Sequence, residues 1–112
     1  MHRSGTILHL SATDLSNFLG CRHHTALDLA VVDGLRTEPW VHSPLLEVLK
    51  QRGKEHEADY VASLRAADLS VVDLSTIEDH DDRASATRDA MRSGADAIVQ
   101  GTLQNETWRG LP

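Results

Sequence analysis

One long periodic run restricts this chain more than any other feature. Ser43 followed by Pro44 reads as a helix cap with proline at the first helical position, where its missing N–H costs nothing. From there Leu45, Leu49, Gly53, His56, Tyr60 and Leu64 fall near one stripe of a helix expected to run to about Ala67. The stripe is expected to aim inward or toward a cleft, and His56 with it. A chain of 112 residues has room around such a helix for one small domain or part of one.

On the N-terminal side, Thr6 to Leu10 is brief and apolar enough for a strand or an extended lead-in. Ser11-Ala12-Thr13-Asp14 then fits the Ser-x-x-acid capping pattern. Leu15, Phe18, Leu19, Ala26, Leu29 and Ala30 recur at helical spacings and predict one apolar face, with Gly20 available to break the helix in two. Gly34 to His42 reads as a loop.

On the C-terminal side, Leu69 to Leu74 is β-branched and short, a strand. Glu78 to Asp82 reads as an acidic loop before a third helix, Arg83 to Ser93, whose thin apolar face is Ala84, Ala86, Ala90 and Met91, with Gly94 as its C-cap. Ala97 to Leu103 reads as one largely buried strand, and Gln104 to Thr107 as the turn into another beginning at Trp108. The predicted class is α+β: helices first, then strands. The strand after Trp108 is expected to lack a completed ladder, leaving a sheet edge through which the chain self-associates.

Composition narrows the function. With a net charge of -6, the chain lacks the overall basic balance that attracts phosphate backbones, so any nucleic-acid contact must come from a local site. The single cysteine, Cys21, excludes an intramolecular disulfide framework and points to a reduced, cytoplasmic chain. Phe18-Leu19-Gly20-Cys21 faintly imitates a lipoprotein cleavage site, but His9, Asp14 and Asn17 interrupt the apolar run it needs. No stretch approaches the roughly 18 apolar residues of a membrane helix.

Among residues that carry chemistry, His56 lies three positions after Gly53, which opens space on the same face for a ligand; by itself, a histidine on an apolar stripe is more often a satisfied core residue. Glu57 lies about 100° further around the helix and reads as a solvated charge, and the segment is not a His-Glu-x-x-His zinc motif. His24 and Asp28, beside His23, share a helical face, but two ligands make a weak metal site. Glu78-Asp79-His80-Asp81-Asp82 lacks the pattern of a calcium loop. Cys21 has no base or orienting group in pattern, so its local reading is a buried small hydrophobe. A helix-turn-helix from Ala12 through Gly20 to Leu29 is disfavoured by the acidic charge.

Taken together, Leu10-Ser11-Ala12-Thr13-Asp14-Leu15 with Phe18 and Cys21, then Gly53-Lys54-Glu55-His56-Glu57, Thr87-Arg88-Asp89-Ala90-Met91, Gly94, Ile98-Val99-Gln100-Gly101 and Trp108-Arg109-Gly110 resemble the start of a RecB-like nuclease. That family belongs to the PD-(D/E)XK superfamily and is related to CRISPR-associated exonucleases and the RecB/AddB nuclease domain.

The resemblance implies an α/β nuclease core, N-terminal helices followed by the first strands of a mixed sheet, and a DNA hydrolase using Mg²⁺ or Mn²⁺. It makes His56 the helix histidine that helps bind the catalytic metal and leaves Glu57 without a role. It also matches Cys21 to a position that, in iron-sulfur members, joins three distant cysteines around a 4Fe-4S cluster; those three are not in this chain. In the family, the Trp-x-Gly segment is followed by the first metal-binding aspartate and then by Glu or Gln, any residue, and Lys. Residues 1–112 are therefore expected to be the N-terminal part of one such domain, stopping before that aspartate and inactive alone. The competing expectation is a small non-catalytic α+β binding protein derived from a nuclease.

Overall fold

The computed structural model describes residues 1–110, which run β1 (His2–Ser4), β2 (Ile7–His9), α1 (Ala12–Gly20), α2 (Arg22–Val32), α3 (Pro44–Ala66), β3 (Val71–Asp73), α4 (His80–Arg92), β4 (Ala97–Val99), β5 (Leu103–Gln104) and β6 (Arg109–Gly110). This is an α+β chain whose described strands form three two-stranded sheets. It divides into two compact units, one of residues 1–39 with the described residues from Thr102 on, the other Trp40–Gly101.

In the first unit, β1 and β2 pair antiparallel with His2 opposite His9 and Ser4 opposite Ile7. Gly5 turns this hairpin at φ +59, a left-handed conformation that costs glycine little. Polar His2-Arg3-Ser4 carried no strand signal, so β1 goes unforeseen while β2 falls within the expected lead-in. Ser11 caps α1 as expected: its hydroxyl accepts from the Asp14 N–H at 3.3 Å, and the Asp14 carboxylate accepts from the Ser11 N–H at 2.7 Å. The expected break falls at Cys21, extended at φ -159, between α1 and α2.

The apolar face expected of α1 is not buried. Leu15, Phe18 and Leu19 are exposed, and the buried residue on α1 is Asp14. Charge-assisted bonds decide this, because Asp14 receives the N-terminal ammonium as well as the cap and is held inward. At the other end of the unit, the Asn105 carbonyl accepts from the N–H groups of Thr107 (2.9 Å) and Trp108 (2.7 Å), an Asx turn that joins β5 to β6. β6 pairs antiparallel with β5, the Leu10 N–H donates to the Thr107 carbonyl at 2.7 Å, and the Arg109 N–H donates to the Leu10 carbonyl at 2.8 Å. The strand expected to lack a ladder therefore has partners on both sides at these residues.

In the second unit, the Ser43 hydroxyl accepts from the Leu46 N–H at 3.3 Å and starts α3, with Pro44 in its first turn. β3, α4 and β4 form a βαβ element, parallel in register from Val71 opposite Ala97 to Asp73 opposite Val99. α4 begins three residues earlier than expected. The Asp79 carboxylate accepts from the Asp82 N–H at 2.9 Å, so within the expected acidic loop Asp79 is the cap and His80–Asp82 are the first turn, where acids meet the positive helix end. Leu74, Ala84, Thr87 and Ala90 are the buried residues here, and Thr87 returns its hydroxyl to the Arg83 carbonyl at 2.7 Å.

Two expectations fail in this unit. The strand expected over Ala97–Leu103 is cut after Val99, because Gln100 turns left-handed at φ +56. Most of the α3 stripe faces out: Leu45, Leu49 and Tyr60 are 67%, 59% and 62% exposed, His56 is exposed with them, and Leu64 is half-buried. The physical reason is that α3 presents its other side, with the small residues Ala58 and Ala62 and the half-buried Val61, to a cleft within this unit.

Candidate functional site

That cleft, about 730 Å³, is built from one face of α3 and the C-terminal ends of the parallel strands. Lys54, Glu57, Ala58, Val61, Ala62 and Arg65 recur at intervals of three and four and so share a helical face. Asp73 ends β3 and Ser75 follows it, Val99 ends β4 and Gln100 follows it, and Arg83 is the fourth residue of α4. Openings beyond the carboxyl ends of parallel strands are where α/β elements most often take ligands.

The polar groups divide into satisfied and available ones. Glu57 Oε1 accepts from Gln100 Nε2 at 2.7 Å. Asp73 Oδ1 accepts from the Ser75 N–H at 2.9 Å; hydrogen bonds from the Ser75 side chain and backbone hold the Asp73 carboxyl below its ordinary pKa, and the Arg65 charge adds to this against a slight burial effect. Arg83 donates Nε at 2.7 Å and Nη2 to the Ile77 carbonyl. Among the described residues, no carboxylate lies within ion-pair distance of Lys54 or Arg65. The cleft therefore offers Lys54 and Arg65, neither in a close ion pair, with the Arg65 charge partly answered by Asp73, an arrangement that leaves Lys54 the freer cation for an anion.

The residues singled out from sequence do not meet at this cleft. His56 is exposed on α3 and is not among the lining residues, whereas Glu57, read as a solvated charge, is. The available signal for Glu57 was its sharing of a face with Lys54 and Val61, obscured by the more apolar stripe beside it. Cys21 is exposed at the junction of α1 and α2, contrary to the buried small hydrophobe expected, because the chain is extended there and no element covers it. His24 Nε2 lies 3.7 Å from Asp28 Oδ1, and both line a separate cavity of about 440 Å³ in the first unit, together with Met1 and Asp14.

In that cavity the N-terminal ammonium lies 3.0 Å from Asp14 Oδ2, with both groups almost sealed from solvent. Burial raises the Asp14 carboxyl pKa, but hydrogen bonds from the ammonium and from the Ser11 backbone and side chain, with the ammonium charge, outweigh it and hold the carboxyl below its ordinary value. Among the described residues, no three His, Cys, Asp or Glu side chains converge where they could hold a metal ion. None of the described helices is long and apolar enough to cross a membrane. No family model matches the chain, and no curated protein or solved structure matches it.

Proposed function

We propose that this chain carries the N-terminal part of a metal-dependent RecB-like DNA nuclease whose complete domain hydrolyses phosphodiester bonds. The observation that supports the reading is the bond between Glu57 and Gln100: it joins the Gly-Lys-Glu-His-Glu segment to the Ile-Val-Gln-Gly segment, two of the stretches on which the resemblance rests. The cleft beneath it supplies Lys54 and Arg65, which offset phosphate charge in a chain that is otherwise acidic.

On this reading His56 belongs to the Mg²⁺ or Mn²⁺ site of the complete domain and Cys21 to a 4Fe-4S cluster of the parent. The residues described do not amount to either site: His56 stands apart from any group of three ligands, and Cys21 is the only cysteine. The carboxylates and lysine of the metal centre, like the other cluster cysteines, are then contributed from outside residues 1–112. No hydrolytic step is assigned to these residues; their part is to bind and orient the DNA backbone.

The test compares the 112-residue chain with the product of the coding sequence read past Pro112, on single- and double-stranded DNA with Mg²⁺ or Mn²⁺. Cleavage by the longer product alone, reduced by His56→Ala, is expected. Cleavage by the short chain, or a downstream sequence without an aspartate and a Glu/Gln-x-Lys, overturns the reading.

A further inference from the structure

We infer that the outer face of α3 is a self-docking surface on which a second copy of this chain packs antiparallel. At 100° per residue, Leu45, Leu49, Gly53, His56, Tyr60 and Leu64 occupy an arc of about 100° centred well away from the cleft face. Leu45, Leu49 and Tyr60 are largely exposed, a concentration of apolar side chains that a monomer seldom leaves in water.

The spacing of this arc is self-complementary. A two-fold axis crossing α3 between Lys54 and Glu55, near the middle of its 23 residues, sets Leu49 of one copy against Tyr60 of the other, Leu45 against Leu64, and Gly53 against His56. Each contact then occurs twice, as an isologous interface requires. Gly53 is the residue that makes room: nothing lies within 4 Å of where its Cβ would stand, so the opposing imidazole can enter.

Charge selects the orientation. Lys50 and Arg52 flank the arc before the axis, and Glu57 and Asp59 flank it after the axis. Helical geometry places Lys50 and Glu57 on one flank and Arg52 and Asp59 on the other, each within about two residues of facing its counterpart in an antiparallel pair. A parallel pair in register sets like charges together. Lys50 already touches Glu47 at 3.5 Å and Glu57 already accepts from Gln100 at 2.7 Å, so the Arg52–Asp59 flank carries the selection.

The experiment is sedimentation equilibrium with light scattering on the 112-residue chain, with helix content checked by circular dichroism. A concentration-dependent dimer is expected. Leu49→Asp loosens it by roughly a hundredfold or more. Arg52→Glu and Asp59→Arg each loosen it by roughly tenfold, while an equal mixture of these two variants, or R52E/D59R in one chain, recovers the original affinity. A chain that stays monomeric at all concentrations overturns the inference. So does a dimer indifferent to these substitutions, which places the contact elsewhere.

Discussion

The Glu57 carboxylate and the Gln100 side-chain amide, 43 residues apart in sequence, meet at 2.7 Å in the lining of the α3 cleft. The bond depends on backbone that Gln100 adopts only at some cost, since φ +56 is a conformation L side chains disfavour by roughly 1 kcal/mol. Gln100→Gly removes that cost along with the bond, whereas Gln100→Ala loses the bond and keeps the cost. The glycine variant is therefore expected to be the more stable of the two by about 1 kcal/mol in urea unfolding. Equal stabilities, or the usual order of alanine over glycine, would show that the left-handed turn is not held at this residue.

The Met1 ammonium and Asp14 form the most enclosed ion pair described in the chain. Asp14 is also half of the capping box, so Asp14→Ala removes a helix cap and leaves a buried ammonium without its partner. A loss of about 1 to 3 kcal/mol in chemical unfolding is expected. Acetylation of the N-terminus, which removes the charge but keeps the cap, should cost a smaller part of that amount.

The same carboxyl sets an acid limit. An unfolded Asp titrates near about 3.9, and in the folded chain Asp14 titrates lower. Its contribution is therefore complete above about pH 5 and is lost as pH falls through the folded value. The melting temperature of the native chain should drop on that acidic limb, and in Asp14→Asn the drop should be shallower. A native curve no steeper than the variant's would contradict the assignment.

Two glycines should fail for different reasons. A Cβ on Gly101 would stand 3.2 Å from Ile98 Cγ2 and 3.3 Å from Thr87 Cγ2, both methyls of stiff β-branched side chains, so Gly101→Val overpacks and costs about 1 to 3 kcal/mol. Gly94 has open space around it but sits at φ +78, so Gly94→Ala costs about 1 kcal/mol from backbone conformation alone. Differential calorimetry of Gly94→Asn separates the two causes, because asparagine tolerates the left-handed conformation and should recover part of the loss.

The elements most legible from sequence are those whose ends are chemically marked. Ser11 and Ser43 announce α1 and α3 through caps that need only neighbouring backbone, and the Val71–Asp73 and Ala97–Val99 strands show in short β-branched or apolar runs. Less legible were the start of α4, which Asp79 caps so that it falls three residues before the expected Arg83, and the cut after Val99, since Gln100 carries no ordinary signal for a left-handed turn. The candidate site was hardest of all. Periodicity marked the Leu45–Leu64 stripe and His56 as inward, but the cleft took the neighbouring face, with Glu57.

What the sequence determined by itself was local: where α1 and α3 begin, that residues 71–73 and 97–99 are extended, the acidic charge, and the lone cysteine. These follow from bonds between residues a few positions apart, and such bonds leave readable patterns. Only the tertiary structure decided which face of α3 turns toward β3 and β4, that Asp14 and not Leu15 is buried, and that Glu57 reaches Gln100. Those outcomes depend on competition between faces for a small interior and on partners distant in sequence. A charge-assisted bond, such as that of Asp14 with the N-terminal ammonium, can win that competition over a more apolar neighbour.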